Sequence, residues 1–87
     1  MDDQEFLNRI KAKIESAAGA EIRLHLDNVD KNATNVELNG EVPEVTLGSN
    51  ALLYSGFARV CIEYAVASIR QGRKLGMLEF HILLARN

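Results

Sequence analysis

The sequence of 87 residues has no tryptophan, one cysteine, one proline and six glycines. A single cysteine excludes a disulfide within the chain and is typical of a reducing compartment. The chain has no low-complexity segment, and its 47% hydrophobic and 25% charged residues are ordinary for a globular protein. Because a chain this short builds one hydrophobic core, we expect residues 1–87 to form a single domain.

The chain lacks a broad basic stripe, and its charge is divided unevenly between its two halves. The formal net charge is −2. Residues 1–50 carry five basic and ten acidic side chains, hence −5, whereas residues 51–87 carry five basic and two acidic ones, hence +3. Proteins that bind duplex nucleic acid need a broad basic stripe, and here only Arg70, Arg73 and Lys74 cluster. The charge pattern therefore argues against nucleic acid as the main partner.

No segment has the pattern of a secretory signal or a membrane span. The first five residues are acidic where a signal peptide begins with basic residues. The longest apolar region, residues 51–69, contains Arg59 and Glu63 near its centre, where a bilayer strongly disfavours charge. We expect a cytoplasmic protein that does not enter the membrane.

The first element is predicted to be an amphipathic helix over residues 3–18. Asp2 and Glu5 have the spacing of a capping box, and Gly19 follows the last helical residue. Apolar side chains recur between them at intervals of three and four.

Two segments then alternate apolar and polar residues, which is typical of strands with one buried face. The first covers residues 20–27 and the second residues 34–38, and a hairpin is the simplest pairing of the two. Residues 42–47 are predicted to form at most a short edge strand, because Pro43 cannot donate a ladder hydrogen bond.

Residues 49–71 are predicted to form a long helix, with Ser49 as its amino-terminal cap and Gly72 as its carboxyl-terminal cap. Only a narrow stripe of this helix is polar, and a helix that is apolar nearly all round is buried on several sides. Residues 76–85 are predicted to form a last strand. Because most of its residues are apolar on both faces of the strand, we expect it to be central in the sheet.

The predicted fold class is therefore α+β, in the order α-β-β-(β)-α-β. A single-layer sheet of three to four strands carries the amino-terminal helix and the long apolar helix.

The apolar surplus of the long helix predicts assembly. The 37 residues from 51 onward hold 22 of the apolar residues, against 19 in the first 50. Four exposed side chains at roughly 100 Å² each would favour association by about 10 kcal/mol before its entropic cost. We expect a homodimer, or a complex with a partner protein, through the long helix or the last strand. The candidate interface residues are Leu52, Arg59, Ile62, Val66 and Ile69. The alternative is a monomer in which helix one covers the second face.

Two polar groups are candidates for ligand binding. Arg70, Arg73 and Lys74 form a basic corner that either compensates the dipole of the long helix or contacts phosphate or RNA. If the first and last strands are neighbours, Arg23, His25, Glu79 and His81 share a polar sheet face, and His25, His81 and Glu79 are then candidate metal ligands. The alternative, which is the commoner arrangement, is histidines that face solvent or pair with a carboxylate.

No group of residues indicates catalysis. Cys61 lies on the apolar side of the long helix and is predicted to be a small buried hydrophobe. The chain offers no nucleophile beside a base and no cofactor loop, so no catalytic, cofactor-binding or metal-ligating residue is assigned. The sequence alone leaves the biological role unknown, with an interaction module as the first hypothesis and a small-ligand or phosphate-binding module as the second.

Overall fold

The structure is a computed structural model that describes residues 2–86. In chain order the elements are α1 (Asp3–Ala18), β1 (Arg23–Asp27), β2 (Thr34–Glu37), β3 (Glu44–Gly48), a 3-10 turn (Ser49–Leu52), α2 (Ser55–Gln71) and α3 (Met77–Ala85). The predicted α+β class is confirmed: a small open sheet carries an amino-terminal helix and a long apolar helix.

Helix α1 begins and ends where its sequence predicts. The Asp2 carboxylate accepts a hydrogen bond from the amide of Glu5 at 2.8 Å. Gly19 has a left-handed backbone with φ of 67°, and its amide donates to the Glu15 carbonyl. These caps satisfy backbone groups that have no partner within the helix, and Ile10 and Ile14 face the core between them.

The strand order is β1-β3-β2, so the predicted hairpin of the first two strands is wrong. β1 runs parallel to β3, and β2 runs antiparallel to it. The prediction of an edge strand at 42–47 is also wrong, because β3 is central and buries Val45 and Leu47 completely. Pro43 does not prevent this, since it precedes the strand and still accepts a hydrogen bond from the amide of Arg23 through its carbonyl.

The long helix begins at Ser55 and not at Ser49, because the chain at 48–50 is tied to the loop after β1. Gly48 donates to the carbonyl of Ala33, and the amide of Asn50 donates to the carbonyl of Lys31. A Cβ at Gly48 would lie 2.1 Å from that Lys31 oxygen, so only glycine allows this approach. The chain turns through the 3-10 segment before α2 starts.

The last element is a helix, and the prediction of a strand over 76–85 is wrong. A short run that is apolar on both faces fits a buried strand and a buried helix equally well by periodicity. Phe80, Leu83 and Leu84 face the core at helical spacing. The Glu79 carboxylate accepts from the amide of Gly76 at 3.2 Å, which supports the first turn of α3.

Side chains of α2 fix the segment that connects it to α3. The Tyr64 hydroxyl donates to the carbonyl of Leu75, and the Ser68 hydroxyl accepts from the amide of the same residue at 3.3 Å. The ring of Tyr64 also meets the edge of Phe80, with ring centroids 5.3 Å apart at an angle of 89°. We call these contacts of Tyr64, Ser68, Leu75 and Phe80 the connector latch. It holds α3 against α2.

Candidate functional site

A groove lies between α2 and α3 on the helical side of the molecule. We call it the α2–α3 groove; it has a volume of about 710 Å³. Its polar rim consists of Glu63, Arg70 and Gln71 from α2. Its apolar walls are formed by Val66, Ala67, Phe80, Leu83 and Leu84.

Helix α3 also exposes apolar side chains: Met77 lies beside the groove, whereas Leu78 and Ile82 lie on the outer face of α3, away from it. Met77, Leu78 and Ile82 are 52%, 74% and 46% exposed. Met77 precedes Leu84 by seven residues, so at 100° per residue the two side chains leave α3 on the same side, beside the groove. The other exposed large apolar side chains are Val29, Leu53, Tyr54 and Val60, so α3 carries three of the seven in the described chain.

The predicted interface residues are not all in one place. Val66 lines the α2–α3 groove, whereas Arg59 and Ile62 line a second groove, between α1 and α2. Ile69 is half-buried against the core, and Leu52 lies in the 3-10 turn before α2. Of the predicted interface residues, those on the outer face of α2 between the two grooves lie close together, and the others lie elsewhere.

The second groove, the α1–α2 groove, has a volume of about 330 Å³. Its floor is apolar and consists of Phe6, Ile10, Ala58 and Ile62. Arg9 and Lys13 from α1 and Arg59 and Ser55 from α2 form its rim. Sequence reasoning missed this cluster, although Arg9 and Lys13 are one helical turn apart beside the apolar stripe of α1.

The basic corner is engaged within the chain. The guanidinium of Arg73 binds the Glu79 carboxylate with two hydrogen bonds, one of them 2.9 Å long from Nη1 to Oε1. Lys74 donates to the side-chain oxygen of Asn35 on β2, and Arg70 lies apart on the rim of the α2–α3 groove. The three cations therefore contact different parts of the molecule and do not form one binding site.

The Arg73–Glu79 pair also shifts the titration of both groups. Hydrogen bonds from Arg73 and then from the amide of Gly76 lower the pKa of Glu79 to about 2. The same carboxylate raises the pKa of Arg73, mainly through the hydrogen bonds. Both effects favour the charged forms and stabilise the start of α3.

The predicted polar sheet face does not form as a set. Arg23 and His25 lie on the exposed face of β1, where the His25 imidazole meets the Glu44 carboxylate at 3.0 Å. Glu79 and His81 belong to α3, so their placement on a neighbouring strand was wrong. Among residues 2–86 there is no group of three histidine, cysteine or acidic side chains arranged to hold a metal ion.

Cys61 is fully buried, as its sequence position predicts. Its sulfur lies 3.2 Å from the hydroxyl of Thr34. Burial raises the pKa of the thiol, which keeps it protonated and unreactive.

Comparison of the chain with protein-family profiles, with characterised proteins and with solved structures finds no match. Within residues 2–86, no helix combines the length and the apolar character that crossing a bilayer requires.

Proposed function

We propose that this protein is an interaction module that forms a homodimer through the outer face of α2 at the α2–α3 groove and the exposed face of α3. The observation that carries the proposal is the apolar character of α3 on both sides. Phe80 faces the core, while Leu78 on the opposite side is 74% exposed. A nine-residue helix with this composition is typical of an element buried on more than one side.

A second copy of the chain suits this surface because its charges are self-complementary. Glu63 and Arg70 are seven residues apart on α2, about 10.5 Å along the axis and on the same side. Neither forms an ion pair with another residue of the described chain. If two α2 helices pack antiparallel about a twofold axis between Val66 and Ala67, Glu63 of each copy lies opposite Arg70 of the other.

The available area is of the right size for a dimer. The chain exposes 5640 Å², about a tenth more than the roughly 5,100 Å² expected of a monomeric protein of this mass. A stable interface covers about 800 Å² per partner. Met77, Leu78 and Ile82 contribute about 300 Å² of this at roughly 100 Å² each. The α2–α3 groove supplies only part of the remainder, so the proposed dimer also covers exposed residues beside the groove on α2 and α3.

Charge reversal tests this arrangement without disturbing the core. Glu63 and Arg70 are exposed, so E63R and R70E are expected to fold normally. Each single change places like charges opposite each other and weakens the dimer by about tenfold or more. The double variant restores the opposite charges and most of the affinity. The measurement is the dimer dissociation constant by sedimentation equilibrium.

The matched control is E41R, which makes the same change of charge at an exposed loop residue. It should leave the dissociation constant unchanged. A double variant as weak as either single variant would exclude the antiparallel α2 pairing.

Leu78→Lys tests the apolar part of the interface. Because Leu78 is largely exposed in one copy, this change should dissociate the dimer and leave the stability of the monomer almost unchanged. Lysine at Ile62 or Ile69 cannot separate these effects, since both side chains pack against the core. Retention of the dimer in L78K would remove α3 from the interface.

The second candidate function is binding of phosphate or RNA at Arg70, Arg73 and Lys74. It has less support, because Arg73 and Lys74 already bind Glu79 and Asn35.

A cytoplasmic location remains part of our proposal and is supported by the unpaired thiol of Cys61.

A further inference from the structure

The α1–α2 groove differs in charge from the rest of the molecule. Three cations, Arg9, Lys13 and Arg59, surround it, although the chain as a whole carries a formal charge of −2. No carboxylate lines the groove. Its electrostatic potential is therefore expected to be positive, and an anion is the complementary ligand.

The three cations have no ionic partner within the described chain. The ion pairs of residues 2–86 are His25–Glu44 and Arg73–Glu79, and neither touches the groove. Glu5 and Glu63 lie one helical turn from Arg9 and Arg59 but do not line the groove. Close packing of α1 against α2 thus holds three like charges around one apolar floor.

We propose that the α1–α2 groove binds a small organic phosphate with an apolar body. A phosphate monoester carries nearly two negative charges at neutral pH, which suits three cations better than a single carboxylate. The two arginines offer paired N–H donors to phosphate oxygens, and Lys13 adds a point charge. Phe6 and Ile62 on the floor cover the apolar body.

The size of the groove limits the ligand. About 330 Å³ is at the lower end of small-molecule sites. A single aromatic or short aliphatic group therefore fits, whereas a nucleic acid strand would need stacking aromatics along an open surface. The Ser55 hydroxyl is a further donor on the rim.

The test is a titration of the full chain with 1-naphthyl phosphate, followed by the fluorescence of the naphthyl group and by amide chemical shifts. We expect saturable binding, with shifts at Phe6, Ser55 and Ile62. R59E should weaken binding about ten- to hundredfold, because it removes hydrogen bonds to a charged ligand and adds repulsion. K31E makes the same charge change at an exposed residue away from the groove and should bind like the unchanged protein.

Two comparison ligands separate the parts of the proposal. Inorganic phosphate lacks the apolar body, and 1-naphthol lacks the charge, so each should bind at least about tenfold more weakly. Equal binding of either ligand, or equal loss in R59E and K31E, would overturn the assignment. The assignment would also be overturned if the unchanged protein bound no naphthyl phosphate and R59E dissociated the dimer. That result would indicate that the groove holds the acidic amino-terminal turn of a second copy.

Discussion

Replacement of Tyr64 by phenylalanine removes one hydroxyl from the connector latch and leaves the ring on Phe80 in place. That hydroxyl donates to the carbonyl of Leu75, a residue only 4% exposed. Without the donor the carbonyl stays inside the protein with no partner for its oxygen. The other bond of the latch, from the amide of Leu75 to Ser68, remains.

The expected cost follows from this geometry. A buried acceptor without a partner costs about 1–3 kcal/mol, and the apolar packing of the ring hardly changes. For a domain of this size each 1 kcal/mol lowers Tm by about 4–8 °C. We therefore expect Y64F to unfold at a clearly lower urea concentration, with the same m value.

The assay is urea unfolding followed by far-ultraviolet circular dichroism, because the chain has no tryptophan. Y54F is the matched control: Tyr54 is 61% exposed and its hydroxyl has no partner in the described chain. Protein concentration is kept constant, since a dimer unfolds in a concentration-dependent way. If Y64F and Y54F agree within about 0.5 kcal/mol, the latch does not contribute as described.

Three further predictions concern single sites. The pKa of Glu79 is lowered to about 2, so its ionised carboxylate should stabilise the protein fully above the ordinary pKa near 4.5, and this stabilisation should be lost as the pH falls towards 2. Carboxyl chemical shifts should follow this titration. Arg73→Gln should raise the midpoint of the Glu79 titration. Cys61 should react with a thiol reagent only at the rate of unfolding, because it is buried and its pKa is raised; fast labelling of the native protein would contradict this. Gly48→Ala should destabilise the protein by about 1–3 kcal/mol in urea unfolding, because the new methyl group meets a backbone carbonyl, whereas Gly56→Ala, with no atom within 4 Å of its Cβ, should not.

Local signals in the sequence were sufficient to predict the elements whose bounds depend only on residues nearby in the chain. Asp2, Gly19 and the spacing of apolar residues predict α1 with its observed bounds, and Gly72 predicts the end of α2. Burial of Cys61 also follows from its position on the apolar side of α2. These features depend on neighbours within a few residues.

The predictions of the strand order and of the last element were wrong because tertiary contacts determine both. Nothing local to Pro43 indicates that β3 inserts between β1 and β2. The segment after Gly76 is apolar on both sides because Phe80 meets the core while Leu78 faces outward, and an apolar run of that kind does not distinguish a strand from a helix. Glu79, three residues after Gly76, was the available sign of a helix start.

The candidate site was predictable only in part for the same reason. Apolar surplus in residues 51–87 led to the prediction of an interface, but the exposure of Leu78 that supports the proposed position on α3 depends on how α3 packs against α2. The α1–α2 groove needs residues of two helices more than 40 positions apart, such as Arg9 and Arg59, and no single-segment pattern reveals it.

Native mass in solution, measured by light scattering over a dilution series, distinguishes the proposed dimer from a monomer. We expect a species of about 19 kDa, twice the 9.6 kDa of one chain, that persists to micromolar concentration. L78K should have the mass of one chain under the same conditions. A species of 9.6 kDa at every concentration of the unchanged protein would contradict the proposed dimer.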